Sequence, residues 1–405
     1  MINSCAIYRR PLFSYIDPKQ LRIALQVGEF SLGWMLDAVD GLKPDGAITI
    51  LAKRLVVHAL WILRPMLAPQ DTEIYLPNIK EWNGLLHSYR VPHVGRSLAQ
   101  LALTLGLFTL CFAAMLMMAA HVGYWAALPL VLPTGLCVVR VFIIQHDCGH
   151  HSYFHQRWVC DWVGRGLGLL TMTPYDWWKS DHDWHHAGSG DLTRRGYGDI
   201  SILTVEEYRS LPRWRRRLYR LYRHPLVLFG IGPAYQFLIR QRLPIGLRRC
   251  DRRAVLSILA TDIAIAAIVV VCGLTIGFGR FFALWPPVIM VAGTVGVWLF
   301  FIQHQFEHAY WRDHEYWSVT AAALQGASYY RLPRPLEWLT ASIGYHHIHH
   351  LASRIPNYRL RDCFHDIPAL QQVTVIGLVD SLHCSRLALW CGERQCLLSF
   401  AEAQG

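Results

Sequence analysis

Gly344-Tyr345-His346-His347-Ile348-His349-His350 is the stretch whose reading decides the fold. On a helix, residues three and four apart share a face, so His346, His349 and His350 project together and one metal ion could take all three. The competing reading of this stretch alone is a His-rich surface run. Its counterparts elsewhere decide against that. His182-Asp183-Trp184-His185-His186 repeats the His-x-x-His-His pattern, His146-Asp147-Cys148-Gly149-His150 sets two rings four apart, and His304-Gln305-Phe306-Glu307-His308 does so again. Ten of the 21 histidines therefore stand at helical spacing in four clusters, separated by long apolar stretches. Imidazole suits zinc, copper, iron and nickel, and a tetrahedral zinc takes four ligands, so ten candidates imply two metals.

The 405 residues are 53% hydrophobic and only 17% charged, against about 25% charged in a soluble enzyme. That balance, with 16 Trp and 18 Tyr to collect at a lipid–water boundary, predicts an all-α integral membrane protein. The net charge of +11 is concentrated in Arg between residues 213 and 253. No nucleic-acid motif accompanies that patch and apolar spans flank it, so nucleic acid is a weak alternative and is not expected as a partner; Arg beside spans more often marks the cytoplasmic side and anionic lipid headgroups. Eleven scattered cysteines without a C-x-x-C pair indicate neither a disulfide framework nor a zinc ribbon. Cys148, inside a His cluster, reads as a small packing residue.

Residues 1–76 hold two apolar stretches interrupted by charges such as Glu29, Asp37, Lys53 and Arg54, neither a convincing span, and they read as an N-terminal extension without an assigned role. The first 20 residues lack the features of a signal peptide. Residues 97–139 contain no Asp, Glu, Lys or Arg, enough for two crossings of about 20 residues each, turning near His121-Val122-Gly123-Tyr124-Trp125. The second crossing is expected to emerge at Arg140 and deliver His146 and His150. Residues 158–178 read as an interfacial helix and the island 225–239 as re-entrant or interfacial. Residues 254–277, carrying Asp262, and 281–302 make two more crossings joined by a tight turn. About four spans result, and their even parity puts all four clusters on one side as a His-rich cap. The Arg-rich loops make that side cytoplasmic. His224-Pro225-Leu226 starts like a cytochrome b5 haem motif but lacks the glycines that should follow, so no fused electron donor is expected.

Three longer motifs carry a family resemblance. They are His146-Asp147-Cys148-Gly149-His150-His151-Ser152-Tyr153-Phe154, the run from His182 through Gly190-Asp191-Leu192, Arg194-Arg195-Gly196 and Gly198-Asp199-Ile200, and Tyr345 to Leu351 followed by Ser353-Arg354-Ile355-Pro356-Asn357-Tyr358. Together they resemble the membrane fatty acid desaturases, and within them the acyl-lipid omega-6 (Δ12)-like branch, which also carries Gln303-His304-Gln305-Phe306-Glu307-His308. The likeness runs from about Trp82 to Phe400. It implies a desaturase domain over residues 77–400 whose His-box core spans 122–365. It also implies two iron ions, O2 as co-substrate, a membrane acyl lipid as substrate, and an external electron donor of ferredoxin or cytochrome b5 type. By the same resemblance the ligands are His146, His150, His182, His185, His186, His308, His346, His349 and His350. His304, Asp147, Asp183 and Glu307 are expected to support them from outside, and His151 and His347 stand off the pattern. Ser342 stands where the family pattern has Asn. Tyr175, Trp177 and Trp178 are candidates to line an acyl tunnel or to anchor at the interface. The same boxes also serve hydroxylation, epoxidation or ketone formation. A metal transporter would instead place its histidines within the spans.

Overall fold

A computed structural model of the chain describes residues 79–196, 198–245 and 251–404. The expected extension, residues 1–76, lies outside the described residues. A short amphipathic helix, α1 (Ile79–Leu86), buries Trp82 and Leu86. Two long apolar helices follow, α2 (Val94–His121) and α3 (Tyr124–Gly149), joined at Val122-Gly123 where Gly123 takes φ 128°, a left-handed turn that a side chain resists. The turn falls where the sequence placed it. α2 keeps a long aliphatic face exposed, Leu110 at 65%, as a lipid-facing helix does.

Helix α3 does not end at Arg140, where the second crossing was expected to emerge. Arg140 sits in mid-helix and is buried, donating to Thr104 Oγ1 (3.1 Å) and to the Trp338 carbonyl while stacking over the Trp338 ring at 4.1 Å. An isolated buried charge is costly, and these partners offset that cost. α3 then continues two more turns to carry His146 directly.

The expected single interfacial helix is two, α4 (Arg157–Leu170) and α5 (Tyr175–Gly188), broken at Thr171–Pro174 where Met172 adopts φ 54°. Proline at 174 cannot donate within a helix and restricts the residue before it, so the chain restarts there in a new direction. Beyond box two come β1 (Leu203–Thr204), α6 (Val205–Ser210), closed by a Thr204–Glu207 capping box, and α7 (Arg213–Tyr222). The apolar island coils as π-type turns at Val227–Ile231 and Tyr235–Ile239.

α8 (Arg252–Cys272) and α9 (Phe278–His304) belong to one 53-residue apolar stretch, interrupted at Gly277 with φ 90°. Phe278 folds back so closely that a Cβ on Gly273 would lie 2.2 Å from its ring. Among the described residues, three stretches are thus long and apolar enough to cross a membrane: α2, α3 and the α8–α9 stretch. Asp262, out of place in an apolar helix, is bound at 2.6 Å by Arg242, just beyond the island.

The remaining helices are α10 (Val319–Gln325), α11 (Arg334–Leu339), α12 (His346–Leu351), α13 (Asn357–Asp366) and α14 (Leu378–Cys384). The fold is mostly helical but not all-α. The pair β2 (Tyr329–Tyr330) and β3 (Val375–Ile376) run parallel, and β1 joins β4 (Leu387–Cys391) and β5 (Cys396–Ser399) in a sheet of order β1-β4-β5. The alternating or continuous apolar runs of β4 and β5, separated by Gly392, are short enough to be missed against the helical periodicities around them.

Candidate metal centre

Ring nitrogens from four helices converge into two groups. The first is His146, His150, His182, His186 and His349; the second is His185, His304, His346 and His350; within each group the ligand atoms lie within 4.8 Å of one another. Each His-x-x-His-His box is shared between the groups. Residues four apart on α5, His182 and His186, go to the first, and their neighbour His185, about 100° round the helix, goes to the second. On α12 the division is reversed, with His346 and His350 in the second group and His349 in the first. The expectation that one metal takes all three rings of a box is therefore corrected: adjacent rings diverge too far round the helix to meet one ion. The groups touch through His186 and His350, whose rings stack at 4.2 Å.

The donor chemistry fits metal ions. Nε2 faces Nε2 between His186 and His182 (3.1 Å), His349 and His186 (3.0 Å), His304 and His346 (2.9 Å), His350 and His346 (3.1 Å), and His185 and His304 (3.2 Å). Neutral imidazole has one N–H, so nitrogens packed together at these distances cannot all be satisfied by one another. Nitrogens about 2.0–2.1 Å from a common tetrahedral ion would stand about 3.3 Å apart. The Nε2 of His150 has no hydrogen-bond partner at all although it is buried. Burial holds His150, His182, His186, His346, His349 and His350 well below the usual imidazole range, with neighbouring imidazoles adding to the effect. They are thereby kept in the neutral form that ligates.

Of the expected supporting residues, His304 and Asp147 reach the site. His304 is a member of the second group, and its Nδ1 meets the Gly326 carbonyl at 3.2 Å, which turns Nε2 inward. His308, expected as the ligand, is not brought there: its side chain is 72% exposed and its nearest charged neighbour is Glu307 at 3.9 Å. The reason is helical register. α9 ends at His304, Gln305 turns to φ −117° and ψ 72°, and the i, i+4 relation that would align His308 no longer applies. Asp147 is buried, lies 3.5 Å from His146 Nδ1, and accepts from the Asn357 backbone N–H (2.7 Å) and side-chain amide (2.8 Å). Asp183 pairs instead with Lys179 one turn earlier at 2.6 Å on an exposed surface, and Glu307 is likewise exposed. Neither supports a group.

Two supporting residues lacked a spacing signal. Asp199 accepts a short hydrogen bond from His185 Nδ1, and Asn357 ties box three to box one through Asp147. Both lie in quoted motifs, but only the folded chain brings them to the rings. His151 pairs with Asp161 at 2.9 Å, and His347 points into a separate core beside Phe364, so both stand outside the groups. Trp178 stacks on His182 (4.9 Å, 14°), and a Cβ on Gly149 would come within 2.9 Å of its ring, which explains glycine inside box one. Tyr175 is buried and donates to Asp161 at 2.9 Å, and Trp177 is buried against Ala254 and Ile258. A pocket beside the second group is lined by His304, Asp199, Ser189, Phe300 and Trp311.

Residues 123–372 match the fatty acid desaturase family model. The chain is 39% identical over 315 residues to a fatty acid desaturase of Bacillus subtilis, covering 77% of this chain and 88% of that one. It is also 29% identical over 244 residues to the sn-1 oleoyl-lipid 12-desaturase of Synechocystis, covering 58% and 67%, and 29% identical over 288 residues to that organism's sn-1 acyl-lipid omega-3 desaturase (ferredoxin), covering 67% and 74%. A family match of that extent, enclosing every residue of both histidine groups, means that this chain belongs to the fatty acid desaturases, oxidoreductases acting on acyl lipids.

Proposed function

We propose that the protein is an oxygen-dependent di-iron acyl-lipid desaturase of omega-6 (Δ12) type, which places a second cis double bond on the methyl side of an existing one. The observation that carries this reading is the pair of convergent all-imidazole groups, built on the ends of the apolar helices α3 and α9 and on the short helices α5 and α12. Nine neutral ligands leave two irons highly charged, and the bound irons would supply the oxygen chemistry. The ligands are His146, His150, His182, His186 and His349 for one iron, and His185, His304, His346 and His350 for the other, with His304 in the place expected for His308. Overall, O2, two electrons and two protons take two hydrogens from a –CH2–CH2– unit and leave as two waters. The electrons come from an external carrier of ferredoxin or cytochrome b5 type; a relative named as a ferredoxin-dependent desaturase supports the first.

The chain's own residues orient and exclude. Asp199 and the Gly326 carbonyl fix the rings of His185 and His304, Asp147 and Asn357 fix box one against box three, and Trp178 covers His182. We read α2, α3, α8 and α9 as four crossings, because 53 residues of unbroken helix would be about 80 Å long against a hydrocarbon core of about 30 Å and the stretch turns at Gly277. The cap then faces the cytoplasm, and residues 77–400 form the catalytic domain with 122–365 carrying the boxes. Histidines gathered at span ends, not along them, disfavour the transporter.

The test is expression in a host whose lipids contain only saturated and monounsaturated chains, with double-bond localisation by mass spectrometry. A new diene in phospholipid is expected. A hydroxylated chain would reassign the reaction on the same scaffold, and an unchanged profile with iron bound and a working electron donor would overturn the proposal.

A further inference from the structure

Helix α7 has two faces of opposite character. Its inner face is fixed to the cap: Tyr219 donates to the Ala388 carbonyl (2.7 Å) and accepts from the Leu203 N–H (3.1 Å), Tyr222 accepts from the Ser201 N–H (3.0 Å), and Arg223, at the C-terminus, donates to the Leu387 carbonyl (2.7 Å) and Gln305 (3.1 Å). Roughly 120° round the helix, Trp214, Leu218 and Leu221 are each more than half exposed. At 100° per residue these three lie within about 60° of one another, a single apolar stripe pointing away from the protein. Arg213 and Arg217 flank it on one side, and Arg215, on the edge toward Tyr219 and Tyr222, lies over the Trp214 ring at 5.1 Å; all three Arg are exposed, and the helix carries no acid.

The surroundings say what covers that stripe. The chain passes from α7 straight into the apolar island, where Leu226 and Ile231 are exposed at 75% and 64%. The island packs on α9 through Thr294, which donates to the Phe229 carbonyl at 2.7 Å, and through Pro233 and Phe237 against Gly293. Those contacts lie within about 17 Å of His304 along α9, at the depth of one leaflet.

We infer that α7 lies in the membrane surface and binds anionic lipid, the stripe Trp214-Leu218-Leu221 entering the acyl boundary while Arg213, Arg215 and Arg217 hold phosphate. The inference rests on the membrane crossing by α9 proposed above. An acidic electron carrier is the other partner a basic face attracts, but a protruding Trp and two Leu fit lipid better than a polar protein surface. Because Arg223 donates to Gln305, next to His304, lipid on α7 would be felt one residue from the second histidine group.

The test uses full-length protein carrying a solvatochromic maleimide at Leu218→Cys in nanodiscs with or without phosphatidylglycerol, with label on the unsubstituted protein subtracted as background. Leu110→Cys, on a lipid-facing span, serves as reference. Spin-labelled headgroups should quench the position-218 label, more strongly with phosphatidylglycerol present. In detergent, phosphatidylglycerol titration should give saturable binding that Arg213→Gln/Arg215→Gln/Arg217→Gln weakens about a hundredfold, roughly fivefold per Arg near an anionic surface. Arg220 stays, since it donates to Tyr208 at 2.6 Å and holds the helix to the cap. The inference is overturned if a water-soluble quencher reaches position 218 equally in every lipid while position 110 stays protected, if the triple variant binds phosphatidylglycerol unchanged, or if the label is shielded only when an acidic carrier protein is added. Exposure of position 110 as well would overturn the membrane crossing instead.

Discussion

The two histidine groups are built from the same boxes yet differ in number, support and access. The first gathers five rings, is closed over by Trp178, and is braced through Asp147 and Asn357. The second has four rings, a carboxylate directly on His185 Nδ1, a carbonyl on His304, and a pocket alongside. The difference lies in what surrounds the rings: a carboxylate and a carbonyl on the rings of the second group, and a stacked Trp with a braced Asp beside the first.

The largest effect should come from breaking the second group. His304→Ala is expected to lose one metal per chain and activity by at least a hundredfold, whereas His308→Ala retains both, measured by elemental analysis and diene yield. If His308→Ala is the inactive variant, the grouping itself is wrong.

Next come the residues behind the rings. Asp199→Asn should weaken metal at the second group by about 10–100-fold, while Asp147→Asn, 3.5 Å from its ring, should cost less metal and more stability. Asp183→Ala and Glu307→Ala should stay within about 0.5 kcal/mol of the parent. Equal metal loss for Asp199 and Asp183 variants would erase the distinction.

Acid should separate the apo and loaded proteins. In the metal-free chain, burial holds His182, His186, His349 and His350 below the usual range, so above about pH 6.5 they are neutral folded or unfolded and contribute no pH dependence. Below it the unfolded chain takes up protons that the folded chain refuses, and stability falls with pH by up to about 1.4 kcal/mol per unit per group. Thermal melts from pH 7 to 5 should fall steeply without metal. Flat melts would mean that water enters the groups.

The smallest expected change is at His347, which burial pushes down to about 3. His347→Leu should leave metal content and turnover near normal and reduce the acid sensitivity that remains in the loaded protein below pH 6.5, read from the same melts. Lost metal would place His347 with the ligands.

How much of this was legible depends on range. Spacing within single helices singled out the clusters, and the family resemblance named eight of the nine converging rings, but spacing alone sent each box to one ion. The ninth fails at a helix end: His304 and His308 are equivalent on paper, and only the turn at Gln305 separates them. The helix turns at Gly123 and Gly277 were visible because glycine and an uncharged run coincide. Asp199 and Asn357 were invisible as supports, because their roles come from contacts 14 and 210 residues away in sequence. The strands were hidden for a similar reason, β1 being two residues long and meaningful only beside β4.

That last pairing sets an order of events during synthesis. Leu203 of β1 pairs with Leu389 of β4, and Arg223 waits for the Leu387 carbonyl, so the segment after box two emerges from the ribosome more than 160 residues before its partner. At about 5–20 residues per second the gap lasts roughly ten seconds or more. For most of it His182, His185 and His186 are translated while the third box, which completes both groups and precedes β4 by about 40 residues, is not. The β1–β4 register is then a late clasp: it can close only after the last ring of both groups has been made, so the histidines are complete before the sheet that braces the cap is.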